Sequence, residues 1–284
     1  MKLLVFLLLP YLSLSEVGKD FSKCRQFFLN NDPPQITLPA DVSVKQVKHI
    51  CQCLKDKNKI KYLYATLYNT AWRIPIYSAY VFGSPNVERV DRWYIEPQLD
   101  LGTTAEPCMS PQDRDSIINQ AVNCDYVYSG YDRGHLYPVQ HTNNHLSMLA
   151  TSTLTNAAPQ DPTFNQQEWK KHEKAVIDDL KGCKGKAYVV TGVVPDINKQ
   201  IPKRNPIVTV SKYYWRANWC LKNNKVTEKG YFGPDNNGRV EELSIAKLQE
   251  KLEKYYNIII FPSVPPRAQK TPGMVVINSL AFNL

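Results

Sequence analysis

The chain has 284 residues, of which 43% are hydrophobic, and its formal net charge is +9 at pH 7. This length fits one large globular domain or at most two small ones, and the sequence has no internal repeat or low-complexity tract. After the N-terminal leader no segment approaches the roughly 18 consecutive apolar residues of a membrane-spanning helix, so we expect no membrane span. The positive charge favours a polyanionic partner such as nucleic acid, heparin or an anionic membrane, although many secreted proteins are merely basic.

The first fifteen residues have the organisation of a secretory signal peptide. Lys2 supplies a positive charge, a short apolar run follows, and small residues stand at Ser13 and Ser15. We therefore predict a leader at 1–15, a single domain at 16–284 and a secreted protein.

All the cysteines follow the leader, and there are seven of them. In an oxidising compartment this number predicts up to three disulfides and one remaining thiol. Proximity along the chain favours three pairings, although sequence alone does not fix the connectivity: Cys24 with Cys51 or Cys53, Cys108 with Cys124, and Cys183 with Cys220.

Strand-like and helix-like segments are mixed along the chain without strict alternation, which predicts an α+β fold with an antiparallel sheet and packed helices. Residues 16 to about 60 look irregular, with a solvated turn near Lys57. Strand patterns, rich in aromatic and β-branched residues, occupy 62–68, 74–82, 93–95, 187–192, 207–219 and 258–261, and 275–277 also has strand length. Helical spacing or capping predicts helices at 116–121, at 165–180 and from Ser244 to about Tyr256.

The most informative motif is the tetrad Asp132-Arg133-Gly134-His135. A neutral imidazole at His135 suits a general base that takes a proton from water near pH 7. Gly134 lets the backbone or a phosphate approach closely, and Arg133 can clamp a phosphate with two parallel hydrogen bonds. The alternatives are a structural histidine and a surface ion pair of Arg133 with Asp132 or Glu173. We expect Asp132 to orient Arg133 or the turn, without a chemical role.

Three downstream side chains are candidates for holding a metal ion. Asn165 offers a neutral oxygen, and one amide ligand suffices for magnesium when substrate phosphate and water complete its shell. Asn156 could bond the same water shell or the loop. Glu173 lies eight residues after Asn165, about 80° past two helical turns, and could reach the metal's waters. The alternatives are a helix N-cap at Asn165 and an exposed helix glutamate at Glu173.

The ordered motifs resemble the DNA/RNA non-specific endonuclease family, whose core is a ββα-metal (His-Me finger) site. The resemblance rests on the tetrad, on Thr155-Asn156-x-x-Pro159-Gln160 and on Asn165-Gln166-x-x-Trp169. A wider match, over roughly residues 20–262, adds the segments 24–28, 64–68, 73–79, 96–99 and 191–192. It implies hydrolysis of DNA or RNA to 5′-phosphate ends with little sequence choice and one divalent ion, usually magnesium, with manganese or calcium as alternatives. By position it implies that His135 is the base, Arg133 a phosphate contact and Asn165 the metal ligand, with Asn156 and Glu173 supporting the ion. The family's upstream arginine is assigned to Arg92, with Arg89 as the alternative.

These observations predict a secreted, magnesium-dependent endonuclease that acts on DNA, RNA or both without sequence specificity. The competing hypothesis is a secreted nucleic-acid-binding protein that keeps the nuclease fold without catalysis. A zinc site at His141 and His145, which have helical i,i+4 spacing, is disfavoured because the segment is polar and turn-like and no glutamate follows His141. The chain also lacks the Gly-x-Ser-x-Gly motif of serine hydrolases.

Overall fold

The computed structural model describes residues 16–264 except 58, 85–87, 89, 91, 103–104, 106, 111–116 and 237. The leader predicted at 1–15 and the apolar run at 275–277 lie outside the described residues. The strands in chain order are β1 (Val17–Gly18), β2 (Gln35–Thr37), β3 (Val47–Asp56), β4 (Lys59–Asn69), β5 (Ile74–Val81), β6 (Asp132–His135), β7 (Ala157–Gln160), β8 (Lys184–Ile201), β9 (Val208–Lys222), β10 (Lys225–Pro234), β11 (Glu241–Leu243) and β12 (Asn257–Ile259). The α-helices are α1 (Pro97–Leu101), α2 (Asn123–Tyr126), α3 (His145–Thr151), α4 (Pro162–Phe164), α5 (Lys170–Leu180) and α6 (Ile245–Leu252).

The central element is an eight-stranded sheet with the order β1-β3-β4-β5-β8-β9-β10-β11. Every neighbouring pair in it is antiparallel. Two small antiparallel pairs, β12 with β2 and β6 with β7, lie outside the large sheet. The predicted class, an antiparallel sheet with packed helices, is confirmed.

The large sheet separates two hydrophobic layers because successive side chains of a strand point to opposite faces. On β9, Trp215 and Ala217 belong to a core that includes Leu248 and Leu252 of α6. Tyr214, the residue before Trp215, belongs instead to a second core with Trp169 and with Ala157 and Ala158 of β7. The face that carries Tyr214 is therefore the one that supports the tetrad.

A long helical segment follows β7 and is not uniform along its length. It begins with α4, where Asp161 is the N-cap and accepts hydrogen bonds from the backbone amides of Thr163 and Phe164. A π-helical turn covers Asn165–Trp169, and α5 then runs to Leu180. Asn165 is therefore not the N-cap, because the helix begins three residues earlier than its apolar spacing indicates. π-Helical turns occur frequently at functional sites.

The structure contains three disulfides, and one of the predicted pairings is wrong. Cys24 pairs with Cys51, and Cys183 pairs with Cys220, as proximity along the chain favours. Cys108 pairs with Cys53 and not with Cys124, which is exposed. The physical reason is long-range: the backbone amide of Met109 donates to the carbonyl of Cys53 at 3.3 Å, which brings the Cys108 segment alongside β3.

The observed strands and helices differ from the predicted ones where the amino-acid composition of a segment indicates its secondary structure only weakly. Strand β3 lies in the region that we expected to be irregular, and its buried Gln52 donates to the hydroxyl of Thr155 at 2.7 Å. Strand β10 was not predicted because its first half is rich in charge. The described part of 116–121 is not helical, and 93–95 forms isolated bridges instead of a strand. Within the described residues we find no helix with the length and apolar character that crossing a membrane requires.

Candidate active site

An open cleft of about 870 Å³ lies between the β6–β7 pair and the long helical segment. Four of the predicted site residues line it: Arg133, His135, Asn165 and Glu173. Two other predicted residues, Arg92 and Asn156, are not among its lining side chains. The cleft thus brings together four predicted residues that are up to 40 positions apart in the sequence, from Arg133 to Glu173.

The β6–β7 pair fixes the tetrad in place. His135 lies opposite Ala157 and Gly134 lies opposite Ala158 in the antiparallel register. A Cβ atom at position 134 would lie 2.6 Å from Cβ of Gln160 and 2.8 Å from the hydroxyl oxygen of Tyr214. Only glycine fits there without moving its neighbours, so the glycine of the tetrad serves the close packing of β6 on β9.

Asp132 has a role that the sequence did not reveal. Its Oδ2 accepts a hydrogen bond from Nδ2 of Asn165 at 2.8 Å and another from Nε2 of Gln166 at 2.9 Å. These bonds connect β6 directly to the π-helical turn. They also fix the Asn165 amide so that its nitrogen faces Asp132, which leaves the Oδ1 atom as the acceptor that Asn165 can offer elsewhere.

His135 is half-buried at the wall of the cleft. Its Nε2 lies 3.4 Å from the hydroxyl oxygen of Ser152. Its ring packs against the indole of Trp93, with 4.9 Å between the ring centres. These two neighbours hold the orientation of the imidazole while its exposed part lines the cleft.

Arg133 shares the indole of Trp93 with His135. The guanidinium carbon of Arg133 lies 4.8 Å from the centre of the Trp93 ring, and Nη1 donates to Oδ1 of Asn123 at 2.6 Å. The carboxylates of Asp132 and Glu173 have other partners, so the surface ion pair that was the alternative for Arg133 is not formed. An arginine has five N–H donors, and one bond to Asn123 leaves others for a phosphate in the cleft.

Glu173 is not an exposed helix glutamate, because its side chain is only 12% accessible and forms an ion pair with Arg216. Oε1 lies 3.4 Å from Nη2 of Arg216, which is fully buried on β9. Burial raises the pKa of Glu173, and the Arg216 guanidinium opposes that rise. The carboxylate therefore depends on Arg216 to remain ionised at the edge of the cleft.

Arg216 is the residue of this region that the sequence analysis missed. Its Nε donates to the hydroxyl of Thr191 at 2.9 Å, and its guanidinium lies 4.8 Å from the centre of the Trp169 ring. The available signal was a single arginine inside the aromatic run Tyr213–Trp219, since a charged residue in a buried strand requires a partner.

Asn156 is buried behind the cleft, and all its hydrogen bonds are internal. Its Oδ1 accepts from the hydroxyl of Ser78 at 2.9 Å and from the amide of Tyr137 at 3.0 Å. Its Nδ2 donates to the carbonyls of Tyr137 and Thr151 at 3.0 and 2.8 Å. Of the two roles expected for Asn156, these contacts favour the support of the loop over a bond to the metal's water shell.

Arg92 is exposed, and its guanidinium carbon lies 5.9 Å from the centre of the Tyr94 ring, outside the cleft lining. The alternative, Arg89, lies outside the described residues. The assignment of the upstream arginine therefore stays a prediction.

His141 is buried, with both ring nitrogens close to partners from the protein. Nδ1 lies 2.8 Å from the hydroxyl of Tyr80, and Nε2 lies 3.2 Å from the carbonyl oxygen of Glu173. Burial and the nearby Arg216 lower the pKa of His141, so the ring stays neutral. Through these contacts His141 supports the backbone of Glu173. Because both ring nitrogens have partners from the protein, the contacts also disfavour His141 as a zinc ligand.

The family model for DNA/RNA non-specific endonucleases matches residues 52–259, which include the tetrad, the π-helical turn and most of the sheet. The chain belongs to this family. Among its relatives, the Endonuclease domain-containing 1 proteins of Homo sapiens and Mus musculus are 33% and 30% identical over 218 and 211 residues. These matches cover 73% and 70% of this chain, which spans only about 40% of the length of either relative.

Two further comparisons concern other members of the nuclease group. The mitochondrial Endonuclease G of Bos taurus is 44% identical over 106 residues, which is 35% of each chain. A crystal structure of the EndoG/EndoGI complex aligns with a TM-score of 0.52 at 21% identity, over 75% of this chain and 86% of the solved one. The resemblance inferred from the ordered motifs is therefore confirmed, and the fold is that of a ββα-metal nuclease.

Proposed function

We propose that this non-specific endonuclease family member hydrolyses phosphodiester bonds of DNA, RNA or both, with one divalent metal ion and without sequence specificity. The observation that carries the proposal is that His135 and Asn165 line one cleft, while Asp132 bridges β6 to Asn165 by a 2.8 Å hydrogen bond. A base and an oxygen ligand on two connected walls of one cleft can act on a single phosphate.

The donor set of the cleft fits a hard divalent cation. Asn165 offers a carbonyl oxygen whose amide nitrogen is already bonded to Asp132, and Glu173 offers a carboxylate at the same wall. Oxygen donors of this kind suit Mg²⁺, with Mn²⁺ or Ca²⁺ as alternatives. In this proposal Asn165 is the ligand, Glu173 supports the ion's water shell, and Asn156 acts only through the loop that it holds. A bound ion would stabilise negative charge on the phosphate and on the leaving oxygen.

His135 takes the proton from the attacking water in this proposal. A neutral imidazole nitrogen accepts that proton, and the packing of the ring on Trp93 holds it in place. Arg133 donates to a phosphate oxygen from the same wall, with its guanidinium stacked on the same indole. The net charge of +9 attracts the nucleic-acid backbone without reading bases, so binding and cleavage should weaken with salt.

The three disulfides suit an oxidising compartment and support the proposal that the protein is secreted. Measuring the protein in the culture medium of expressing cells, with and without residues 1–15, tests this directly. Retention of the full-length chain inside the cell would contradict secretion.

The activity is tested by incubating the purified chain with supercoiled plasmid and with RNA, in magnesium or in excess chelator. We expect nicked, then linear, then degraded plasmid without discrete sequence-dependent bands, only where free divalent ion is present. Binding of nucleic acid in magnesium without any cleavage would support the non-catalytic alternative and refute the proposal.

A further inference from the structure

One rim of the cleft presents an aromatic ring to solvent. Tyr128 is 102% exposed, which is the highest exposure among the large hydrophobic side chains of the described residues, and its neighbour Val127 is 53% exposed. The cleft is lined by residues on both sides of Tyr128 in the sequence, namely Tyr126, Val127 and Tyr131. We refer to Val127, Tyr128 and Tyr131 as the aromatic rim.

The backbone of the aromatic rim is held in a defined turn. Ser129 is buried, and its hydroxyl donates to the carbonyl of Tyr126 at 2.9 Å and accepts from the amide of Tyr131 at 3.1 Å. Tyr128 adopts a φ of +54°, a left-handed conformation that costs free energy for a residue with a side chain. The turn therefore keeps a tyrosine outward at a position where glycine would be easier to accommodate.

A cation completes the rim. Nζ of Lys199, on β8, lies 5.1 Å from the centre of the Tyr131 ring. The hydrogen bond with Tyr131 raises the pKa of Lys199, so the ammonium stays charged. Arg133 lies on the adjoining wall of the same cleft. Aromatic rings next to cations are complementary to the bases and phosphates of a nucleic-acid strand.

We propose that the aromatic rim stacks an unpaired base of the substrate strand next to the cleft, so that single-stranded nucleic acid binds more tightly than duplex. This inference rests on the proposed function and specifies its substrate class. In a duplex both faces of a base are covered by its stacked neighbours, so only an unpaired base offers a free face to Tyr128. Lys199 contributes attraction to phosphate, which is common to both forms of substrate.

The test measures the affinity of the full chain for a fluorescent single-stranded oligonucleotide and for the blunt-ended duplex of that strand with its complement. Chelator is present throughout, so binding is measured without cleavage. The variants are Tyr128→Ala, Tyr128→Phe as the conservative control, and Lys199→Gln as the charge control. Because Tyr128 is exposed, Tyr128→Ala should keep the melting temperature of the wild type, which is checked in parallel.

We expect Tyr128→Ala to weaken single-strand binding by about tenfold, or about 1.4 kcal/mol, because one stacked base loses its partner, and to leave duplex binding unchanged. Tyr128→Phe should bind as the wild type does, and Lys199→Gln should weaken both ligands and reduce the salt dependence. Unchanged single-strand affinity in Tyr128→Ala, an equal loss for the duplex, or an equal loss in Tyr128→Phe would each overturn the proposal. Failure of metal-dependent cleavage in the plasmid assay would instead count against the proposed function alone.

Discussion

The carboxylate of Asp132 accepts a hydrogen bond from the side-chain amide of Asn165 at 2.8 Å and so joins the strand that carries the proposed base to the helical turn that carries the proposed metal ligand. Strand β6 and the π-helical turn are thereby connected by a direct bond and not only by the packing of the sheet. Asp132 is thus a positioning residue for the proposed metal site.

Replacing Asp132 by alanine should raise the magnesium concentration needed for half-maximal cleavage. Partners that orient a metal ligand typically contribute about 10–100-fold to metal affinity or activity. A magnesium titration of plasmid cleavage measures the effect. The matched control is Gln166→Ala, which removes the other hydrogen bond to Asp132 and leaves the one from Asn165, and should shift the titration much less. Equal shifts in the two variants would show that Asp132 does not act through Asn165.

Loss of the imidazole should abolish most of the cleavage and spare the fold. We expect His135→Ala to reduce the cleavage rate by about 10²–10⁴-fold, as is usual for a general base. His145→Ala is the matched control, since His145 is exposed on α3 and does not line the cleft. It should keep the wild-type rate. A His135→Ala variant that cleaves as fast as His145→Ala would exclude His135 as the base.

Arg216 should determine the pH at which Glu173 becomes ionised. The guanidinium lowers the pKa of Glu173 against the rise that burial causes, so removing it raises that pKa further. If the ionised carboxylate is needed, the acidic limb of the pH–rate profile should move to higher pH in Arg216→Met. Arg216→Lys keeps the charge and should give a smaller shift.

Breaking a buried ion pair costs about 3–5 kcal/mol, so thermal unfolding is measured for both Arg216 variants before the profiles are compared. In Glu173→Gln the acidic limb that is due to this carboxyl should disappear. A folded Arg216→Met variant with the wild-type profile would contradict the role of Arg216.

Ionisation of the buried carboxyl of Glu96 should lower the free energy of unfolding as the pH rises. Burial raises the pKa of Glu96 from 4.5 to about 7, so the folded state binds the proton more tightly than the unfolded chain does. The stabilising contribution is therefore complete below about 4.5 and is lost as the pH rises through about 7.

The free energy of unfolding, measured with urea, should fall between pH 5 and pH 8 in the wild type. In Glu96→Gln that fall should be smaller by on the order of 2 kcal/mol. Burial also raises the pKa of Asp235, to about 8, and that of Glu16, the buried carboxyl next to Glu96. Both residues remain in the variant with the same sign of effect. If the free energy of unfolding changes as much between pH 5 and pH 8 in Glu96→Gln as in the wild type, Glu96 does not titrate in this range.

The sequence predicted which side chains meet in the cleft better than it predicted the contacts that hold them there. His135 and Asn165 stand in ordered motifs, so their joint placement in the cleft followed from the family pattern. The hydrogen bond from Asn165 to Asp132 and the ion pair from Glu173 to Arg216 join residues that are 33 and 43 positions apart. No local pattern encodes such pairs, since they depend on how the sheet and helix pack.

The same distinction holds for the fold. Strands β4 and β5 were predicted because apolar and β-branched residues dominate them, whereas β3 carries Gln52 and two cysteines in its buried stretch. Its strand conformation is stabilised by tertiary partners, among them Thr155 and two disulfides. The helix start was misplaced by three residues because capping by Asp161 lies outside the apolar pattern.

Strand β3 carries two half-cystines separated by one residue, and their partners come from opposite directions along the chain, Cys24 upstream and Cys108 downstream. During oxidative refolding, Cys51 and Cys53 therefore compete for the same two partners, and an exchanged pair would join the wrong segments to the sheet. Preparing active protein from reduced inclusion bodies should accordingly require a thiol–disulfide shuffling system, with a scrambled isomer as the main contaminant.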